Sequence, residues 1–323
     1  MHKRKTMSRR RFFSRKRQLK SPRRRRPTRQ RQSKRQGRVK GGASFSRVWQ
    51  DSFFKVGWKV LTLFKGVQNR SPISTNEIIN ARLFRLNSDP FVHATYLQTE
   101  PRVRATSKIS VVYFQGLGTS LSETIDWSEE ILKSFEALGF FCTIYVIDQM
   151  QSMSIDLLIA SAAEVIDLAA SKGDPVILFG YSLGTGVATY GLLRWYETYV
   201  DSNTVLPIYP KLILLSPFTS LSDVREQRTN WDSSPMFGLL DYSFKSALGH
   251  NLDLSTAIQK MPFNVVMSGS RHDELINYEQ FLELGNAKNS LGKLPSQIHV
   301  DGDHSEPRKL LKDPSYLKKL LDS

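Results

Sequence analysis

Six short, nearly unbroken apolar runs, at 109–115, 140–148, 175–181, 211–216, 263–268 and 297–300, limit what this chain can fold into more than any other feature. A strand exposed on one face alternates apolar and polar residues; a run apolar at successive positions is buried on both faces. Between the early runs lie amphipathic helical patterns such as "SETIDWSEEILKSFEALG" and "IDLLIASAAEVIDLAASKG". Doubly buried strands alternating with helices predict an α/β fold, a mostly parallel central sheet flanked by helices and joined by right-handed crossovers. Two further segments, "ARLFRLN" and "FVHATYLQ", have no helix between them and predict an antiparallel hairpin at one edge of the sheet.

This pattern occupies residues 71–323, and what precedes it is of another kind. Residues 1–40 hold 20 of the 46 Lys and Arg residues and no Asp or Glu, leaving 26 basic against 30 acidic residues in the rest of the chain. An arm so charged and so poor in apolar residues cannot bury enough surface to offset its ordering entropy. Residues 1–42 are therefore read as a disordered basic tail, and residues 43–70 as an amphipathic helix and linker. In "FSRVWQDSFFKVGWKVLTLFKGV", Phe45, Trp49, Phe53, Val56, Val60, Leu63, Phe64 and Val67 recur at three- and four-residue steps, away from Lys55, Lys59 and Lys65. Such a helix either packs on the following domain or lies in a membrane interface beside the tail.

No run reaches the length of a membrane-spanning helix, and the N-terminus has charge without the apolar stretch of a signal peptide. A cytoplasmic or peripheral membrane location is expected, with secretion or organelle targeting by the tail as the competing address. The single cysteine, Cys142, lies inside "GFFCTIYVID", where a buried strand thiol is the expectation.

One pentapeptide carries the chemistry. "PVILF" reads as a buried strand, "GTGVATYGLLRWYETYV" as a helix, and Ser182 in "GYSLG" sits on the turn between them. That is the setting of a nucleophile elbow, in which glycines let the chain turn sharply and leave the hydroxyl accessible. A serine hydroxyl needs a base, and the base an orienting group. Asp273 follows the strand "FNVVMSGS", where open parallel sheets collect functional groups, with Glu274 and Asp223 as rivals and a solvated pairing with Arg271 as the bland alternative. His304, in "QIHVDGDHSEP", lies after the last strand beside Gly302 and before a C-terminal helix "PRKLLKDPSYLKKLL". His299 reads as an alternating strand residue, and His272 is too close in sequence to the acid to bridge it to Ser182.

On "GYSLGTGVA" and "LLSPFTSLSDV" the chain resembles the α/β-hydrolase superfamily of serine hydrolases over residues 80–323, and within it the branch of monoglyceride lipases, lysophospholipases and acyl-protein thioesterases. The resemblance implies the α/β-hydrolase fold and the chain order nucleophile, acid, histidine, here Ser182, Asp273 and His304. It implies an oxyanion hole from the backbone N–H of Leu183 and of a residue in "QGLGTS", for which Leu117 is the expected donor. Related enzymes carry His where this chain has Gln115. No cofactor or metal is expected.

The expected reaction is hydrolysis of carboxylic esters or thioesters, with a hydrophobic ester or lipid as substrate. A serine peptidase on the same triad and a non-catalytic hydrolase-fold binding module are the alternatives. Residues 218–250 interrupt the strand and helix alternation and carry Trp231, Met236, Phe237, Leu239 and Leu240, which reads as a small lid over an acyl pocket or as helices packed on the sheet edge. The tail is expected to hold an anionic membrane surface, or nucleic acid, through residues 1–40.

Overall fold

A computed structural model of the chain describes residues 82–86, 93–98, 107–116, 119, 121–147, 155–227 and 251–323. Eight strands form one sheet in the order β1-β2-β4-β3-β5-β6-β7-β8. The strands are β1 (Arg82–Arg85), β2 (His93–Gln98), β3 (Ser107–Phe114), β4 (Phe140–Ile147), β5 (Val176–Tyr181), β6 (Lys211–Leu215), β7 (Val265–Ser270) and β8 (Ser296–Val300). From β4 through β8 every pairing is parallel, and β1 and β2 form the antiparallel hairpin at the edge that the missing helix predicts. The apolar runs end within two residues of the strands.

Successive side chains of a strand face opposite layers, and both layers here are apolar. Val112 and Phe114 of β3, Val176 and Leu178 of β5 and Leu212 and Leu214 of β6 join one core. That core lies under helices α2 (Ile155–Ala170) and α3 (Leu183–Asp201). Val111, Tyr113, Ile177, Phe179, Tyr181, Ile213 and Leu215 face the other, under α1 (Leu121–Ala137) and the C-terminal helix. This is why the runs show no period of two: each position has a core to enter. At about 1.5–3 kcal/mol for each large apolar side chain buried, the two layers supply most of the drive to fold. Cys142 sits in β4, fully buried, with its thiol pKa pushed well up by that burial.

Shorter helices follow the later strands: α4 (Leu221–Gln227), α5 (Leu254–Gln259), α6 (Tyr278–Leu284), α7 (Glu306–Lys309) and α8 (Pro314–Asp322). The single C-terminal helix expected from "PRKLLKDPSYLKKLL" is two. Pro314 disfavours helical backbone at the residue before it, and Asp313 is extended at φ −89°, ψ 113°. Its carboxylate then accepts the Ser315 N–H and starts α8 afresh, after a single 3₁₀ turn at Leu310–Lys312.

Candidate active site

The elbow is built from backbone strain and from two glycines. At the C-terminal end of β5 the chain reverses into α3 at Ser182, which holds φ 52°, ψ −122°, a conformation disfavoured for a residue with a Cβ. The Ser182 N–H donates to the Leu215 carbonyl at 3.0 Å, and the Ser182 carbonyl accepts from the Thr185 N–H at 2.9 Å and the Thr185 hydroxyl at 2.6 Å. A Cβ at Gly184 would lie 2.1 Å from the Phe114 carbonyl oxygen, and one at Gly180 would lie 2.6 Å from the Gly184 carbonyl oxygen. Only glycine fits at either place.

Ser182 occupies the N-cap position of α3, where a serine hydroxyl ordinarily accepts a backbone N–H. Asp253, Asn277 and Asp313 do this at the starts of α5, α6 and α8. The Ser182 side chain does not, and among the described residues its hydroxyl makes no hydrogen bond. It is held on a rigid turn, partly exposed and uncommitted.

Asp273 and His304 meet beyond the C-terminal ends of the parallel strands β7 and β8. His304 Nδ1 lies 2.7 Å from Asp273 Oδ2, and both side chains are at least nine-tenths buried. The other carboxylate oxygen, Oδ1, accepts the N–H groups of Leu275 and Ile276, each at 2.8 Å, so the acid is fixed by its own loop. A carboxylate on Nδ1 favours the tautomer with the proton there and leaves Nε2 free to accept one. The rivals are engaged elsewhere. Asp223, in the first turn of α4, accepts from Thr219 and Ser220, and Glu274 accepts the backbone N–H of His304 at 3.0 Å rather than touching the ring. Arg271 pairs with Asp301 at 3.6 Å, not with Asp273. His272 is exposed, and His299 is an exposed β8 residue bonded to Tyr278.

Tyr181 packs against His304, and Gly116 lies against both Tyr181 and Ser182. The Tyr181 ring centroid lies 5.4 Å from that of His304, and a Cβ at Gly116 would touch both the Tyr181 ring, at 3.0 Å, and Ser182 Cβ, at 3.3 Å. Tyr181 thus has His304 on one side and Gly116, which also touches Ser182, on another, while among the described residues no hydrogen bond joins the Ser182 hydroxyl to His304. Arg308, one turn beyond His304, stacks on Trp127 and on Tyr181 with its guanidinium carbon 4.6 and 5.2 Å from their ring centroids. Burial pushes the Tyr181 phenol well up, an effect the Arg308 charge partly offsets. Beside His304, Asp303 is held down to about 2, first by its hydrogen bond from Lys309 and then by that from Ser305.

Gln115 has a definite job at this spot. Its buried side chain donates from Nε2 to the Thr119 carbonyl at 3.0 Å and accepts the Thr124 hydroxyl at Oε1. The amide therefore closes the loop 115–119 on itself and ties it to α1, with one donor and one acceptor where an imidazole would offer the same pair. Leu183 begins α3, so its N–H has no acceptor within the helix. Leu117 lies outside the described residues, as do the tail, the 43–70 helix and residues 228–250 of the segment read as a lid. The flanks of that segment are joined: Leu221 N–H donates to the Asn251 carbonyl, and Leu254 N–H to the Thr219 carbonyl, each at 2.9 Å.

No family model and no curated protein matches the sequence. Solved structures do match in three dimensions. The chain is similar to an esterase of Pyrobaculum calidifontis (TM-score 0.55, 12% identity, covering 86% of this chain and 94% of that one). It is similar to an esterase/lipase from an uncultured bacterium (0.53, 12%, 86% and 99%) and to an esterase of Pyrococcus furiosus (0.51, 14%, 78% and 92%). At such identities the likeness speaks for the fold, which is the α/β-hydrolase fold.

Proposed function

We propose that the chain is a serine hydrolase that cleaves carboxylic esters or thioesters with a hydrophobic acyl group, by way of an acyl-enzyme on Ser182. The observation that carries the reading is the buried 2.7 Å contact between His304 Nδ1 and Asp273 Oδ2, taken together with a strained serine whose hydroxyl is not used as a helix cap. The names of the similar esterase structures agree with an ester substrate.

As the Ser182 Oγ attacks the carbonyl carbon, His304 Nε2 takes its proton, and Asp273 holds the tautomer and stabilises the imidazolium. The negative charge formed on the carbonyl oxygen falls to the Leu183 N–H and an N–H of the Gln115-braced loop, with Leu117 as the proposed donor. His304 returns the proton to the departing alcohol or thiol, and water repeats the sequence to free the acid. Loss of one oxyanion donor costs about 10²–10³ in turnover.

The basic arm, residues 1–40, is proposed to hold the enzyme against an anionic membrane surface, where each basic residue contributes about 1 kcal/mol. Among the described residues no helix is long and apolar enough to cross a membrane.

Hydrolysis of p-nitrophenyl esters from acetate to palmitate by wild type and Ser182→Ala tests the reaction and reads the pocket. The expected profile rises beyond short acyl chains and vanishes in the variant; a profile unchanged in the variant refutes it. Deleting residues 1–40 should spare hydrolysis of a soluble ester and weaken binding to phosphatidylserine vesicles. Equal vesicle binding by both proteins removes the arm from that role.

A further inference from the structure

We infer that Glu274 and Ser216 are positioning residues that clamp the main chain of His304 and so set the reach of its ring to Ser182. The inference rests on His304 being the base, as proposed above.

Among the described residues three hydrogen bonds hold His304, and only one of them is on the ring. Its N–H donates to Glu274 Oε2 at 3.0 Å, its carbonyl accepts from Ser216 Oγ at 2.7 Å, and Nδ1 meets Asp273 at 2.7 Å. The Asp273 contact alone fixes a hinge: the ring could still swing about it as the loop between β8 and α7 shifts. Gripping the peptide groups on both sides of Cα removes that freedom. The two adjacent carboxylates of one loop divide the work, Asp273 taking the ring and Glu274 the backbone.

Ser216 adds the link to the nucleophile. It follows the last residue of β6, and that residue, Leu215, accepts the Ser182 N–H through its carbonyl at 3.0 Å. Successive residues at one strand end therefore hold the elbow and the histidine loop. Ser216 does so at φ 50°, one of four described non-glycine residues with positive φ, and Ser182 on the neighbouring strand is another. Its own N–H is anchored to the Ser268 carbonyl at 2.8 Å. Disfavoured backbone that persists where it aims a side chain at a functional group is a sign of use. Reactive groups misplaced by about 1 Å can lose about 10² in rate.

Three variants separate aiming from mere stability. Glu274→Ala removes the acceptor, whereas Glu274→Gln keeps an oxygen for the His304 N–H. Ser216→Gly removes the hydroxyl and accepts the positive φ without strain, so the fold is spared. On a soluble p-nitrophenyl ester, Glu274→Ala and Ser216→Gly are expected to lose about 10- to 100-fold in kcat with KM within about twofold of wild type. Glu274→Gln should recover most of the rate. The downfield proton NMR signal of His304 Nδ1–H should be sharp in wild type and Glu274→Gln and should broaden or shift in the other two. Wild-type kcat together with an unchanged signal in both Glu274→Ala and Ser216→Gly overturns the clamp, as does a raised KM at constant kcat. Were the wild-type protein to hydrolyse no ester, the proposed function would fall, and the Nδ1–H signal would still decide whether these residues aim the ring.

Discussion

Asp273→Asn changes one atom, and the surroundings dictate which one. Asp273 Oδ1 accepts two backbone N–H groups, from Leu275 and Ile276, so the asparagine must keep its carbonyl oxygen there. Its NH₂ then replaces Oδ2 and faces His304 Nδ1 at the 2.7 Å contact. Two donors cannot face each other at that distance, so Nδ1 becomes the acceptor and the ring proton moves to Nε2. The nitrogen needed to take the Ser182 proton is then blocked. Tautomer reversal of this kind costs about 10⁴ in kcat, or about 5 kcal/mol of transition-state stabilisation. Because shape and the Oδ1 bonds are kept, the melting temperature should stay within a few degrees of wild type. Steady-state hydrolysis of p-nitrophenyl butyrate with a parallel melting curve is the assay. A variant within tenfold of wild-type kcat refutes the tautomer reasoning, and a collapse of the melting temperature shows that Asp273 is chiefly structural.

Tyr113 and its neighbours give two predictions outside catalysis. Among the described residues the buried Tyr113 hydroxyl has no hydrogen-bond partner, so Tyr113→Phe should stabilise the protein by about 1–2 kcal/mol and raise the melting temperature by a few degrees; a lowered value would mean the hydroxyl has a partner. Burial also raises the Tyr113 and Tyr316 phenols to about 12 and pushes Tyr181 up as well. A folded-state value above the unfolded one contributes stability that is complete below about pH 10 and is lost as pH rises toward 12. Unfolding free energy should therefore fall across that window; an unfolding free energy that stays level from about pH 10 to 12 contradicts this.

How far the sequence reveals this molecule depends on the range of each interaction. The strands were legible because burial on both faces leaves unbroken apolar runs, and the elbow because its two glycines answer clashes with residues close in space to a short motif. The strand order was not: nothing in "GFFCTIYVID" says that β4 pairs outside β3, since crossover placement depends on how the helices pack. Nor was the grip on His304. Ser216 and Glu274 reach it across 88 and 30 residues of chain through main-chain atoms, which leave no mark on residue type. Gln115 is intermediate. Its departure from the histidine of related enzymes was visible, but that one amide could serve as both strut and tie required the positions of Thr119 and Thr124. The break in the C-terminal helix is written in Asp313 and Pro314, inside a segment whose apolar spacing on either side reads as one helix.

Whether Ser182 is an activated nucleophile is read by covalent labelling with a fluorophosphonate probe. Wild-type protein should be labelled covalently at a single site, with the adduct mapping to the peptide that contains Ser182, and Ser182→Ala should take up none while melting at a similar temperature. Undiminished labelling of Ser182→Ala, or a folded wild type that resists the probe, would show that Ser182 is not an activated nucleophile.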